Sequence, residues 1–352
     1  MNVDYIIVGN GLAGACLAWQ LHQQGCTLAV FDVPSANRSS AIAAGLFNPV
    51  TGKLMKKSWQ ADVLFPYLQH FYHQAELALQ RRFFYPVGMY RPFLSVAEQN
   101  EWMALSAEPA MKKYVHVVLE QQDRLQTRDL HGGLMLPAAG YVDVPELLEG
   151  VRALVRERHS YHEEKLVAEE VVFDAGGVHY RHVHARKIIF CEGLAARQNP
   201  WLEKLPVNPL KGEVLLVEAN LPTGPIINRG VYLVPQRVGN VFKVGATYHP
   251  RDTTETITAA AKAELAQQTK ALLRIPFRVM GQDWGFRPTV PDRKPILGQH
   301  PWVEQIVVFN GLGTKGVSLA PYFSARLAAW LLAKETLPAE ISMNRFYPLY
   351  SN

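Results

Sequence analysis

Asp4-Tyr5-Ile6-Ile7-Val8 runs without a break into Gly9-Asn10-Gly11-Leu12-Ala13-Gly14. The first five residues, apolar and partly β-branched, read as a buried parallel strand. Leu12 to Gln24 then carries a helical pattern with Leu17 and Leu21 on one face, and Gly25 stops it. Cys26 to Phe31 is a second apolar strand, ending at Asp32. In a strand–turn–helix of this kind each glycine has a mechanical reason. Gly9 allows the tight turn, Gly11 lets the backbone approach a pyrophosphate at the positive helix N-terminus, and Gly14 lets the helix pack closely on the strand. Asp32 lies 21 residues after Gly11, where a carboxylate accepts hydrogen bonds from a ribose diol. The order of these signals predicts a Rossmann-type α/β unit that binds a dinucleotide. Asp32 would repel a 2′-phosphate and so disfavours NADP, although Arg38 weakens that inference. The motif alone does not separate FAD from NAD.

Around this unit the composition is that of a folded globular protein. The 352 residues suggest two domains, and 48% hydrophobic with 19% charged residues excludes disorder as the main state. No run approaches the roughly 18 apolar residues of a membrane span. Cys16, Cys26 and Cys191 are scattered with no Cys-x-x-Cys pair, so neither a disulfide framework nor a metal site is expected. The net charge of +5 is mildly basic. Its densest groups are Lys53, Lys56 and Lys57, and Arg81-Arg82. A solvated basic surface accounts for them, and a nucleic-acid partner ranks below a small molecule. No basic segment followed by a cleavable apolar stretch opens the chain, which makes the cytoplasm the default location.

Ser39-Ser40-Ala41-Ile42-Ala43-Ala44-Gly45-Leu46-Phe47-Asn48-Pro49 is a small-residue segment whose backbone can pack against a flat cofactor. Residues 59–80 read as an amphipathic helix whose aromatic stripe (Phe65, Tyr67, Phe71, Tyr72) belongs to the core. Strands are expected at 83–95 and 133–137 around a helix near 97–105. Asp143 caps a helix to Arg156. Leu166 to Phe173, Val178 to Arg181 and Lys187 to Phe190 read as strands, the last turning back toward the nucleotide at Cys191-Glu192-Gly193. Residues 214–217, 231–234 and 241–245 are strands of a second sheet, and 258–273 is a helix. Near the C-terminus, a strand (Ile306 to Phe309) leads through Asn310-Gly311-Leu312-Gly313-Thr314-Lys315-Gly316-Val317-Ser318 into a helix (Ser318 to Leu332). This second glycine-rich turn offers the partial positive charge of a helix N-terminus. An NAD enzyme has no obvious need of it. A reduced flavin, negative along its N1–C2 carbonyl edge, does.

Together these residues resemble the FAD-dependent amine oxidases of the D-amino acid oxidase family, which includes glycine oxidase and sarcosine oxidase. Ala43 to Pro49 resembles the family's flavin-contacting segment, and Tyr232-Leu233-Val234-Pro235 its Tyr-Ile-Ile-Pro strand. Gly285-Phe286-Arg287-Pro288 resembles the substrate-carboxylate motif, and Gly313-x-x-Gly316 the flavin-binding loop. Pro206-Val207 to Lys211-Gly212 is similar to the crossover into the substrate domain. The matches span nearly the whole chain in family order.

The resemblance implies a Rossmann-type FAD domain from residues 1–84, 138–212 and 276–352, interleaved with an antiparallel β-sheet substrate domain from 85–137 and 213–275. It implies one non-covalent FAD held by Gly9, Gly11, Leu12, Ala13, Gly14, Asp32, Ser39, Ser40, Ala44, Gly45, Leu46, Leu166, Glu192, Gly193, Gly311, Gly313, Thr314, Lys315, Gly316 and Val317. Arg287 would hold a substrate carboxylate in a bidentate fork, Tyr232 would add a hydroxyl hydrogen bond, and Lys243 resembles the lysine that activates dioxygen. The implied reaction is hydride transfer from the amine-bearing carbon of a small carboxylated amine to flavin, with dioxygen or another acceptor taking the electrons. Two departures stand out. No cysteine follows Cys191, so covalent flavin has no candidate in its usual C-terminal region. Lys315 replaces an aromatic residue, and Gly313-Thr314-Lys315-Gly316 through Ala320-Pro321 resembles the oxidase domain of the bifunctional tRNA wobble-uridine enzyme. A free amino acid ranks above tRNA because no methyltransferase domain precedes residue 1. A flavin-binding protein without turnover is the remaining alternative.

Overall fold

The computed structural model describes residues 1–34, 38–51, 55–237 and 239–351. Lys53 of the basic cluster lies outside the described residues. The first strand, Asn2–Val8, is central to one sheet, in parallel with Leu28–Phe31 on one side and Val183–Phe190 on the other. Leu28–Phe31 also pairs with Ser160–His162, and Val183–Phe190 with Ile306–Asn310. A hairpin of Val171–Asp174 and Gly177–Tyr180 extends the sheet antiparallel. Register brings the strand ends together. Val8 pairs with both Phe31 and Phe190, and Phe190 with Val308. The strands therefore finish level, and the turns beginning at Gly9, Asp32, Cys191 and Gly311 gather at one carboxyl edge, where ligands of open α/β sheets bind.

The first helix, Leu12–Gln23, buries Leu17 and Leu21 and packs on both the C-terminal helix Gly316–Leu331 and the helix Val144–Arg158. Asp143 caps the latter by accepting a hydrogen bond from the Glu146 amide at 3.2 Å. The helix expected over 59–80 runs Ala61–Leu79. Phe65, Phe71 and Tyr72 of its stripe are buried, and the half-buried Tyr67 meets Tyr322 edge-on. Tyr72 also donates to the Val317 carbonyl at 2.8 Å, tying this helix to the second glycine turn.

The second sheet runs Phe277–Thr289, Asn208–Ala219, Val241–Gly245, Val231–Pro235, Ile226–Arg229, Met89–Pro92, Gly133–Leu136, His116–Val118. It is antiparallel except where Ile226–Arg229 lies parallel to Met89–Pro92. Phe277–Thr289, expected among the nucleotide-binding segments, pairs along its length with Asn208–Ala219 in this sheet. Its charged and glycine-containing sequence hides a strand that a long partner stabilises. Leu166 to Phe173 also differs from expectation. Ala168–Glu170 forms a helical turn and the strand begins at Val171, as the two glutamates favour an exposed turn over a ladder.

Candidate active site

At the nucleotide end the backbone itself is the machinery. Gly9 has φ +95°, and a Cβ there would lie 2.7 Å from the Cys191 carbonyl oxygen. A Cβ on Gly14 would lie 1.9 Å from the Gly9 oxygen. A Cβ on Gly11 would meet only Ser40 Oγ, at 3.4 Å. Two of the three glycines thus close the turn and seat the helix, while the third leaves its face open, as an approaching pyrophosphate requires. Ser39–Ile42 forms a short helical turn, and Ser40 Oγ accepts from the Leu12 amide at 3.1 Å. Asp32 is buried and accepts from the Asn10 amide at 2.9 Å, the Tyr161 hydroxyl at 3.1 Å and the Arg38 guanidinium at 3.2 Å. The side chain of Asn10 is buried within the glycine turn, yet among the described residues neither its Nδ2 nor its Oδ1 has a hydrogen-bond partner. An unpaired buried amide is costly, and its place beside the open face of Gly11 fits the polar groups of a dinucleotide. The sequence reading missed Asn10 and Tyr161, which the motif spacing does not mark.

The second turn meets the first. A Cβ on Gly316 would lie 3.1 Å from Leu12 Cδ2. Asn310 braces the junction, donating to the Gly193 carbonyl at 2.8 Å and accepting from the Gly311 amide at 2.7 Å. Burial raises the carboxyl pKa of Glu192, and a hydrogen bond from Asn199 at 2.8 Å counters it only partly. Among the described residues no side chain caps the helix Gly316–Leu331, so its first amides lack a side-chain acceptor and its dipole puts partial positive charge at the turn. Lys315 stands at that cap position, donates to Ser58 Oγ at 3.2 Å, and has its pKa depressed by burial and by Arg293. Val317 is buried and Thr314 exposed. Gly45 has φ +69°, and a Cβ there would overlap the Val142 oxygen at 1.8 Å, so the segment Ala44-Gly45-Leu46 is pressed against its neighbour. Leu166 is buried in the core with Val8 and Phe31.

The candidate face on the second sheet is built from side chains. Cross-strand partners share a face, and residues two apart along a strand do too. Tyr232 pairs with Gly245, Gly245 with Val214, and Val214 with Asp283. Arg287, four residues beyond Asp283, and Lys243, two before Gly245, therefore stand on the same face as Tyr232. Glycines make the room. A Cβ on Gly212 would lie 2.2 Å from Arg287 Nη2, and one on Gly245 2.9 Å from the Tyr232 hydroxyl. Arg287 donates to the Lys211 carbonyl at 3.4 Å. Burial lowers its pKa, opposed by Tyr232 and Tyr248. Burial lifts the Tyr232 phenol to about 12. Alternation left open whether Lys243 faces solvent or the site. It lies on the face of Tyr232 and Arg287, with its ammonium 3.1 Å from the Ile42 carbonyl oxygen in the small-residue segment and its pKa lowered by burial.

Arg287 is also brought to the nucleotide loops. A Cβ on Gly193 would lie 3.7 Å from Pro288 Cγ, one on Gly313 3.7 Å from Thr289 Cγ2, and Phe286 bridges to Arg38. On the opposite face of the partner strand Asn208–Ala219, Lys211 and Glu213 are fully buried. Lys211 donates to Asp252 at 2.9 Å and Thr254 at 2.6 Å, and Glu213 accepts from the Thr258 amide at 2.8 Å and Gln282 at 2.7 Å. The sequence reading placed Lys211 only in a crossover and missed Glu213 and Asp283, because charged residues in a strand ordinarily signal exposure.

Residues 4–331 match the family model described as FAD dependent oxidoreductase, the D-amino acid oxidase type. Glycine oxidase of Geobacillus kaustophilus is 25% identical over 95% of this chain and 94% of its own length. The bifunctional tRNA 5-methylaminomethyl-2-thiouridine biosynthesis protein of Caulobacter vibrioides is 26% identical over 96% of this chain, which spans 56% of that protein. The solved iminodiacetate oxidase of Chelativorans sp. BNC1 superposes with a TM-score of 0.81 at 20% identity, over 96% of this chain and 98% of that one, a likeness of fold. Among the described residues no helix is long and apolar enough to cross a membrane. With the match reaching from the first strand to the end of the last long helix, the chain belongs to the D-amino acid oxidase family of FAD-dependent oxidoreductases.

Proposed function

We propose that this enzyme oxidises the carbon–nitrogen bond of a small carboxylated amine, an amino acid or N-substituted glycine. The observation that carries the reading is the single face bearing Arg287, Tyr232 and Lys243, whose last strand ends beside Gly193 and Gly313. Non-covalent FAD, when bound, supplies the acceptor for the hydride. Arg287 binds the carboxylate through its planar fork, and burial strengthens that charge-assisted pair. Tyr232 keeps its proton and donates to the same carboxylate. Lys243 and Lys315 put positive charge at the small-residue segment and at the second glycine turn. Dioxygen or another acceptor takes the electrons. In this reading the Gly9 and Gly311 turns with their helices form the FAD domain and the second sheet the substrate domain, now including Phe277–Thr289. The family assignment sets aside a flavin-binding protein without turnover.

The Caulobacter relative supports a second substrate, a tRNA uridine carrying a carboxymethylaminomethyl group, since Arg287 would take that carboxylate too. The test is anaerobic bleaching of the flavin, followed by peroxide release in air, across glycine, sarcosine, iminodiacetate, proline, D-amino acids and modified tRNA. Bleaching by carboxylated amines but not by their decarboxylated counterparts is expected. Equal bleaching by both would reject the reading. Acid precipitation should leave all flavin in the supernatant.

A further inference from the structure

We propose that Asp174, His179 and His184 form a binding site for a divalent transition-metal ion of the zinc, nickel or copper class, at the sheet edge remote from the cofactor. The register assembles it. Asp174 pairs with Gly177 and His179 with His184, so all three side chains project from one face of a three-stranded antiparallel edge. The opposite face is sealed, with Val178 and Ala185 buried. One ligand atom from each residue lies within 4.8 Å of the others. Metal–nitrogen and metal–oxygen bonds of about 2.0–2.2 Å need ligand atoms only somewhat closer than that, which small side-chain rotations supply.

The ligands are already oriented. Asp174 Oδ1 accepts from the Gly176 amide at 2.7 Å, which turns Oδ2 toward His179 Nε2 at 2.9 Å. The two imidazoles stack with centroids 4.2 Å apart and planes 25° apart. Among the described residues the His184 ring makes no hydrogen bond, so a lone pair is free for an ion. The backbone beneath is fixed. A Cβ on Gly177 would lie 2.2 Å from the Ala185 oxygen, the Asp174 carbonyl accepts from Gln305 at 2.9 Å, and the His184 amide donates to the Met1 carbonyl at 2.9 Å. Two imidazoles and one carboxylate suit borderline divalent ions rather than calcium or magnesium. The half-exposed position leaves further coordination sites to water.

The site stands apart from the flavin chemistry. His184 pairs with Asn2, whereas Phe190 pairs with Val8 beside the glycine turn, roughly 20 Å further along at ~3.3 Å per residue. An ion here would staple the sheet edge and leave turnover alone.

The experiment uses chelator-stripped holoenzyme titrated with zinc chloride by calorimetry and thermal melting. One ion per chain is expected, with the melting temperature raised by about 2 °C or more at saturation. His184→Ala and Asp174→Asn should each weaken binding at least tenfold while turnover stays unchanged. His184→Gln serves if the alanine variant folds poorly. His22→Ala, which removes one member of the separate His22–His159 pair, should leave binding intact. The absence of a saturating one-per-chain event would overturn the site, as would binding that survives in the His179→Ala/His184→Ala double variant.

Discussion

The Gly9–Gly14 turn and the face bearing Arg287, which in the proposed function serve one reaction, are made of different material. The turn works through amides and through the side chains it lacks. Its geometry is local, and six consecutive residues specify it. The Arg287 face works through side chains drawn from three strands, and it exists only because their register holds. Backbone sites fail as a whole when an atom is added. Side-chain sites can lose one group and keep the rest.

That contrast orders the expected losses. Gly14→Val adds a Cβ 1.9 Å from a backbone oxygen that cannot move aside. Flavin content in the purified protein, read from its visible absorbance, should fall below about a tenth of wild type; full flavin would end the account of a backbone-built site. Arg287→Ala should cost about 2–4 kcal/mol, roughly 30- to 800-fold in kcat/KM, while flavin content stays normal. Loss of flavin in that variant would mean the two regions are not separable.

Tyr232→Phe is expected to cost about 1–2 kcal/mol, roughly 5- to 30-fold, in the same steady-state assay. With its phenol at about 12, Tyr232 stays neutral over the working range, so the substitution should leave the pH profile in place. The half-buried lysines Lys243 and Lys315 behave otherwise. Burial lowers the pKa of both Lys243 and Lys315, so their charge is complete at lower pH and is lost, as pH rises, before an exposed lysine would lose it. A smaller effect should come from Lys315→Met, a shift of the flavin midpoint potential to more negative values by more than about 10 mV, roughly 0.5 kcal/mol for two electrons. Lys243→Met should shift it less. A potential unchanged by Lys315→Met removes that lysine from the flavin's electrostatics.

How far these regions could be read from sequence depends on the same contrast. The glycine spacing, Asp32 and the helix caps are local signals, and the structure places them as expected. The extent of the second sheet was not legible. Asn208–Ala219 and Phe277–Thr289 carry Lys211, Glu213 and Asp283, which look like surface residues until their partners from distant segments are in place. Burial of Lys211 depends on Asp252 and Thr254, some forty residues away. The side to which Lys243 points was likewise undecidable before its strand acquired neighbours.

The contact between Leu12 and Gly316 has a consequence for biosynthesis. The first turn leaves the ribosome some 300 residues before the second that completes its pocket. At about 5–20 residues per second that is a delay of roughly 15–60 s. During that interval the first helix lacks the C-terminal helix it packs on, and the nascent chain has no closed pocket for flavin. Chains ending before Gly311 should emerge colourless and depend on chaperones, which pull-down of stalled chains would measure. Flavin capture is then a checkpoint that only a chain synthesised through the helix Gly316–Leu331 can pass.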